Sequence, residues 1–376
     1  MSEPSPIPPA PRLRDVRSQT LEELQAEFQN WQEPAYRASQ VVEWLYVHRA
    51  TDWTAMSNLP LRLRERLRHN FALDPITLVA HQGSPDHTQK FLWRLADGAL
   101  IESVLIPANP ALCGEESDRR TLCVSTQVGC AYGCAFCASG LQGWKRNLGV
   151  EEIVDQVLAA ERWHAANPAP ADAASPRERL VDNLVIMGMG EPLANYDPLL
   201  KALRILNAPW GGRIGARRIT VSTSGLCPQI RRLAEEPLQL QLAVSLHGAT
   251  DPVRSRLMPV NRKYPIRELM AACEFYVARK GRLLTFEYLL IAGVNDDLAH
   301  VPPLADLARR VHAKVNLIPY NHVPTLPWQR PDDNTQQAFL EALQARGINA
   351  TLRREKGHDI DAACGQLRLR AEAGNA

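Results

Sequence analysis

Three cysteines set the chemistry open to this chain. Cys130, Cys134 and Cys137 fall in the run Gly129-Cys130-Ala131-Tyr132-Gly133-Cys134-Ala135-Phe136-Cys137, a CxxxCxxC spacing. Thiolates this close in sequence can wrap one metal centre, and the run offers only three. A cubane iron–sulfur cluster held by three thiolates keeps one iron open to a substrate. A structural zinc or an electron-transfer cluster is ordinarily closed by a fourth protein ligand. Structural zinc is the competing reading of the same run.

Other ligand-binding residue types recur further along. Gly188-Met189-Gly190-Glu191-Pro192 joins two glycines to a glutamate. The glycines let the backbone approach a ligand, and the carboxylate can accept from an ammonium group. Ser222-Thr223-Ser224-Gly225 and Ser245-Leu246-His247-Gly248 offer hydroxyls and an imidazole suited to a ribose or a carboxylate. Asn321 follows Leu317-Ile318-Pro319-Tyr320. Short polar caps after strands also serve plain turn chemistry.

Each of these groups follows a short apolar run. Strands are predicted at Thr121–Ser125, Asn183–Met187, Arg218–Ser222, Gln241–Ser245, Leu284–Leu290 and Val315–Pro319, with helical stretches between them. Such alternation implies right-handed βαβ units and a parallel sheet, closed or partly closed. Site residues then belong at the carboxyl ends of the strands.

The chain has 376 residues, enough for one large α/β domain and a smaller one. Its hydrophobic content is 45% and its charged content 22%, with a net charge of +2. No long apolar run predicts a membrane span, and the Pro-rich start lacks the pattern of a secretory leader. The cytoplasm is the expected compartment. Eight cysteines in such a chain do not read as a disulfide scaffold. Cys227 and Cys273 read as core, and Cys113 as an incidental loop thiol. Basic clusters at Arg62–Arg68, Arg217-Arg218, Arg231-Arg232 and Arg353–Lys356 could neutralise RNA phosphates if they share a face.

The expected organisation has five parts. Residues 1–17 form a disordered Pro-rich tail and 18–80 a helical RNA-binding accessory domain. Residues 81–120 form a β-hairpin linker turning at Ala96-Asp97-Gly98. Residues 121–355 form the βα domain, and 356–376 a C-terminal segment carrying Cys364. The Ala/Pro-rich stretch over 165–176 reads as a surface loop.

The cysteine spacing, with an aromatic before the last thiol, resembles the signature of radical S-adenosylmethionine (SAM) enzymes. The wider set resembles the RlmN/Cfr family of radical-SAM RNA adenosine methyltransferases, from about Gln25 to Leu367. That set is Thr121 to Cys130, Gly188 to Leu193, Ser245-Leu246-His247, Met258-Pro259-Val260-Asn261-Arg262-Lys263-Tyr264, and Asp359 to Leu367. The Pro-rich start and the Ala/Pro stretch depart from the family pattern without touching a motif.

The resemblance implies an α/β fold, a partial (β/α)6 radical-SAM barrel. It implies a [4Fe-4S] cluster on Cys130, Cys134 and Cys137, and SAM held by Gly190, Glu191, Ser222, Ser245, Leu246, His247 and Asn321. It also implies two SAM molecules per turnover. Cys364 takes a methyl group from the first; the radical from the second removes hydrogen from that methyl, and the carbon radical adds to adenine. Cys123 then resolves the adduct by forming a disulfide with Cys364, and Glu102 aligns with the family's proton acceptor. Implied partners are 23S rRNA, tRNA and a reducing protein such as flavodoxin or ferredoxin, with no membrane and a monomeric chain. Carbon-2 methylation of the RlmN type is the first expectation. Cfr-type carbon-8 methylation and a non-catalytic RNA-binding protein with an Fe-S or zinc centre are the alternatives.

Overall fold

The computed structural model describes residues 13–83, 88–108, 119–141, 143–168, 179–323, 325–353, 366–372 and 374. The N-terminal module comprises β1 (Arg14–Asp15), α1 (Leu21–Asn30), α2 (Tyr36–Tyr46), α3 (Leu61–Asn70) and β2 (Phe71–Ala72), with β1 and β2 paired in parallel. Thr20 starts α1 with a capping box. Its hydroxyl accepts from Glu23 N, and the Glu23 carboxylate accepts from Thr20 N at 2.8 Å. Apolar residues at helical spacing, including Leu24, Phe28, Leu45, Leu63 and Leu67, close the module's core.

The disordered tail expected over 1–17 is corrected at its end. Val16 is fully buried and Arg17 almost so. The Arg17 guanidinium donates to Asp15 at 2.9 Å and meets Asp155 at 2.6 Å. Proline-rich composition describes the residues before this point, whereas residues 14–17 are fixed by a buried ion-pair network that local composition does not reveal.

Further strands are β3 (Thr77–Gly83), β4 (Gln89–Arg94), β5 (Leu100–Pro107), β6 (Arg120–Cys123), β7 (Gln127–Gly129), β8 (Trp144–Asn147) and β9 (Asn183–Ile186). They are followed by β10 (Ile219–Thr223), β11 (Gln241–Ser245), β12 (Leu284–Leu290), β13 (Lys314–Pro319) and β14 (Ala350–Leu352). Among the described residues, one sheet of ten strands runs in the order β14-β13-β12-β11-β10-β9-β6-β5-β4-β3. From β6 to β14 all pairings are parallel; from β6 to β3 they are antiparallel.

The six predicted parallel strands are all present. A seventh, β14, was not predicted, because a three-residue edge strand carries too little alternation to stand out. The expected hairpin turns at Asp97-Gly98, where Gly98 has φ +85°. It is no free-standing linker: β5 pairs with β6, so the hairpin extends the parallel sheet, and β3 already begins at Thr77.

The helices outside the module are α4 (Val150–Ala166), α5 (Tyr196–Asn207), α6 (Cys227–Glu235), α7 (Asp251–Leu257), α8 (Ile266–Lys280), α9 (Val301–Arg310), α10 (Asp333–Gln344) and α11 (Gln366–Glu372). They cover a core of strand residues such as Leu184, Val221, Val244, Phe286 and Leu317. Cys227 and Cys273 belong to that core, as expected. Most of the Ala/Pro stretch, together with Cys113 and Cys364, lies outside the described residues. No helix among the described residues is long and apolar enough to cross a membrane.

Candidate active site

After β6 the chain passes through Ser125, held by Gln156 and by the Glu102 carbonyl, into the two-stranded ribbon of β7 and β8. The three cysteines sit in the loop joining those strands. Gly129, at φ +78°, lets the ribbon close, since a Cβ there would lie 1.9 Å from Gly143 O. Two contacts pin the loop to the barrel. Ala135 N donates to Leu257 O at 2.9 Å, and Trp328 Nε1 donates to Ala135 O at 2.8 Å.

The loop roofs a chamber of about 280 Å³ over the carboxyl ends of the parallel strands. Cys130, Cys134 and Cys137 line it, as do Gly190, Glu191, Ser222, Ser245 and His247, so eight expected site residues converge. Gly190 has φ +100°, and a Cβ there would come within 2.5 Å of Gln127 Cβ. Only glycine fits between the SAM-type loop and the ribbon.

A second chamber of about 260 Å³ adjoins the first and shares Phe136, Cys137, Met187, Leu289, Ile318 and Arg353 with it. Cys123 and Asn321 line this second chamber, so Asn321 stands apart from the other expected SAM contacts. The Cys123 side chain is buried.

Two expected residues line neither chamber. Leu246 is fully buried in the core, with its N–H on Glu287 O at 3.0 Å. Glu102 is buried against Lys90, Oε2 to Nζ 3.1 Å, and accepts from the backbone N of Arg368 at 2.6 Å. Its carboxylate thus ties β5 to β4 and to α11.

Burial decides the electrostatics. It pushes the Cys130 thiol up to about 11 and raises Cys134 well above its ordinary value, an effect strengthened by the neighbouring thiols. Metal coordination overrides that preference, because a coordinated thiol is deprotonated outright. Burial also raises Glu191, against the pull of hydrogen bonds from Ser224 N (2.6 Å) and Leu193 N (3.0 Å). His247 is pushed down to about 3 and is neutral. Its Nδ1 accepts from Leu289 N at 3.0 Å, so this network assigns the ring proton to Nε2, a donor at the chamber.

Two polar residues of this region, Arg254 and Glu287, escaped the sequence reading, and a third, Arg353, was read only as part of a basic cluster. Arg254 is fully buried on α7 and donates to Ser224 O at 2.5 Å and Asn261 Oδ1 at 2.8 Å, holding the end of β10. Glu287 lines the first chamber and accepts from Asn316 Nδ2 at 2.7 Å; burial raises its pKa. A lone acid inside the apolar run Leu284-Thr285-Phe286-Glu287-Tyr288-Leu289 was the available signal. Arg353 borders both chambers from the end of β14, the strand that was not predicted.

Comparison with known proteins follows the same outline. Residues 14–73 match the family described as Ribosomal RNA large subunit methyltransferase N-terminal domain, and residues 172–301 match the Radical SAM superfamily. A relative from Opitutus terrae, described as a probable dual-specificity RNA methyltransferase RlmN 3, is 52% identical over 366 residues, covering 96% of this chain and 96% of its own. The chain belongs to the RlmN family. An RlmN relative from Akkermansia muciniphila, described as a probable dual-specificity RNA methyltransferase, is 48% identical and covers 97% of this chain and 98% of its own. The crystal structure of a radical SAM methyltransferase from Sphaerobacter thermophilus superposes with a TM-score of 0.85 at 47% identity, over 94% of this chain and 98% of that one.

Membership of the RlmN family implies a [4Fe-4S] cluster and SAM. The residues present fit both. Three thiols border one chamber, and the same walls carry a carboxylate, hydroxyls and a neutral imidazole donor. Among the described residues no three His, Cys, Asp or Glu side chains gather closely enough to hold a single metal ion.

Proposed function

We propose that this chain methylates carbon-2 of an adenosine in the peptidyl-transferase region of 23S rRNA, and of the adenosine 3′ of the anticodon in some tRNAs. The observation that carries this reading is the position of Cys123. Its thiol borders a chamber that shares a wall with the chamber of the three cluster cysteines. A protein that used the cluster structurally has no need of a second thiol there. The naming of its relatives as dual-specificity RNA methyltransferases supports RNA as the substrate.

A cluster bound to Cys130, Cys134 and Cys137 supplies the electron that cleaves SAM and an open iron to chelate it. The chain's own residues do the rest. Glu191 accepts from the SAM ammonium, while Ser222, Ser245 and the His247 Nε2 donor hold its ribose and carboxylate. Cys364 takes a methyl group as a thiolate. Once the transferred carbon is bonded to adenine, the Cys123 thiolate attacks the Cys364 sulfur. An S–S bond forms, the bond from that sulfur to carbon breaks, and the electron pair leaves with the carbon, which takes a proton. Glu102 is the proton acceptor in this reading, and to serve it must exchange its present partners for the substrate.

The test is nucleoside mass spectrometry after anaerobic reaction of reconstituted protein with SAM, a reductant and unmodified 23S rRNA or tRNA. 2-Methyladenosine is expected. 8-Methyladenosine overturns the regiochemistry, and SAM cleavage without methylated RNA overturns the substrate.

A further inference from the structure

Between its first two cysteines the cluster loop comes to the surface. Ala131 and Gly133 are exposed, while the cysteines beside them are partly buried. Beside that tip lies the end of α7, whose Leu257 carbonyl holds Ala135 N. Arg256, on the same helix, is exposed and stacks over Trp328, its guanidinium carbon 5.4 Å from the ring centroid. Trp328 in turn holds the loop through Ala135 O. The next turn of chain brings Arg262 and Lys263 to the surface, with Lys263 Nζ 5.3 Å from the Tyr264 ring centroid.

These three cations carry no carboxylate partner among the described residues. Nearby Asp251 is exposed, and its Oδ1 accepts from Asn261 Nδ2 and Ile266 N, both at 2.9 Å. Elsewhere the surface arginines are commonly paired: Arg204 meets Glu236 and Arg310 meets Glu274, each at 2.7 Å. Aromatic stacking holds two of the cations in place and leaves their outward faces open to acidic groups.

We propose that Arg256, Arg262 and Lys263 form the docking face for a small acidic one-electron carrier protein, which delivers its electron through the exposed tip of the cluster loop. The inference rests on the radical-SAM reading of the three-cysteine loop. The chemistry needs an external electron, and the transfer rate falls steeply with distance, so the carrier must seat where the cluster is nearest solvent. Opposite charge steers such encounters and fixes their register. RNA is the other polyanion to weigh. Its adenine must reach the chamber of Cys123, which is walled by residues including Thr88, Val104 and Tyr320, and none of the three cations lines that chamber.

The test compares reductants on the reconstituted holoenzyme of Arg256→Glu/Arg262→Glu/Lys263→Glu. 5′-Deoxyadenosine formation is measured with dithionite and, separately, with a reduced acidic flavodoxin or ferredoxin at several salt concentrations. The expected result is at least a tenfold fall with the protein carrier, a weaker salt dependence than the unmodified enzyme, and an unchanged rate with dithionite. Equal rates with the protein carrier overturn the proposal. So does a retained carrier rate with weakened RNA binding, which assigns the face to RNA. If the dithionite rate also falls, the neutral Arg256→Gln/Arg262→Gln/Lys263→Gln variant, with iron content verified, decides: loss confined to the protein carrier sustains the docking face, and equal loss with both reductants overturns it. No deoxyadenosine from the unmodified holoenzyme with dithionite would instead refute the radical-SAM reading.

Discussion

Arg17 and Ser139 are both buried, yet their polar atoms meet opposite fates. At the junction of the N-terminal module with α4, each Arg17 guanidinium nitrogen has an acceptor, supplied by Asp15, Asp74 O and Asp155. Asp155 is answered in turn by Ile76 N at 2.7 Å and Arg162 at 3.0 Å. Within the cluster loop, Ser139 lines the first chamber, and its buried hydroxyl has no partner among the described residues. A buried polar group is costly unless hydrogen-bonded, so a satisfied network reads as structure. An orphaned group in the wall of a chamber reads as a place kept for a ligand.

The largest expected effect lies on the chamber side. Cys364→Ala should abolish methylation without any covalent adduct, whereas Cys123→Ala should trap protein crosslinked to RNA, visible as a shifted band on a denaturing gel. Normal turnover by Cys123→Ala would remove the second chamber from the chemistry.

At the junction, Asp155→Ala leaves the Arg17 charge buried and short of a partner. Urea unfolding should show a loss of about 3–5 kcal/mol, with iron content and SAM cleavage retained at low temperature. A loss of cleavage without loss of stability would break the distinction between the two regions.

Glu102 decides where the boundary falls, since it is as fully partnered as Arg17 but aligns with the family's proton acceptor. Glu102→Gln should lose about 3 kcal/mol of stability because Lys90 stays buried. Methylation should fall further than that loss explains, with SAM cleavage intact. A fall in stability alone would place Glu102 wholly with the structural network.

His247 gives the chamber a pH signature. Its folded pKa of about 3 lies below that of an exposed imidazole, about 6.5. The unfolded chain takes up the proton first, so this contribution is complete at neutral pH and drains away as pH falls from about 6.5 towards 3. Glu191 and Glu287, raised by burial, act in the opposite sense, losing their contribution as pH rises through their raised values. Urea midpoints between pH 4 and 7 should show a gentler acid decline in His247→Gln than in the unmodified protein.

The smallest effect belongs to Ser139→Ala, which removes no hydrogen bond among the described residues. Stability without ligands should change by no more than about 0.5 kcal/mol. SAM affinity, measured by equilibrium dialysis on the reconstituted protein, should nonetheless fall. Unchanged affinity would mean that an orphaned hydroxyl is no guide to this site.

The sequence by itself determined what depends on residue type and local spacing. Three cysteines in one short loop, glycines at Gly188 and Gly190, and polar residues after apolar runs all announce themselves within a few residues. Six parallel strands were legible for the same reason, since short apolar runs between helical stretches form βαβ units. Only the tertiary structure decided which distant groups meet. It placed Cys123 and Asn321 in a chamber apart from most of the SAM-type contacts, buried Leu246, and paired Glu102 with Lys90. It also ordered Val16 and Arg17 through Asp155, well over a hundred positions away. Pairings across such separations are set by how the elements pack, and no local pattern encodes them.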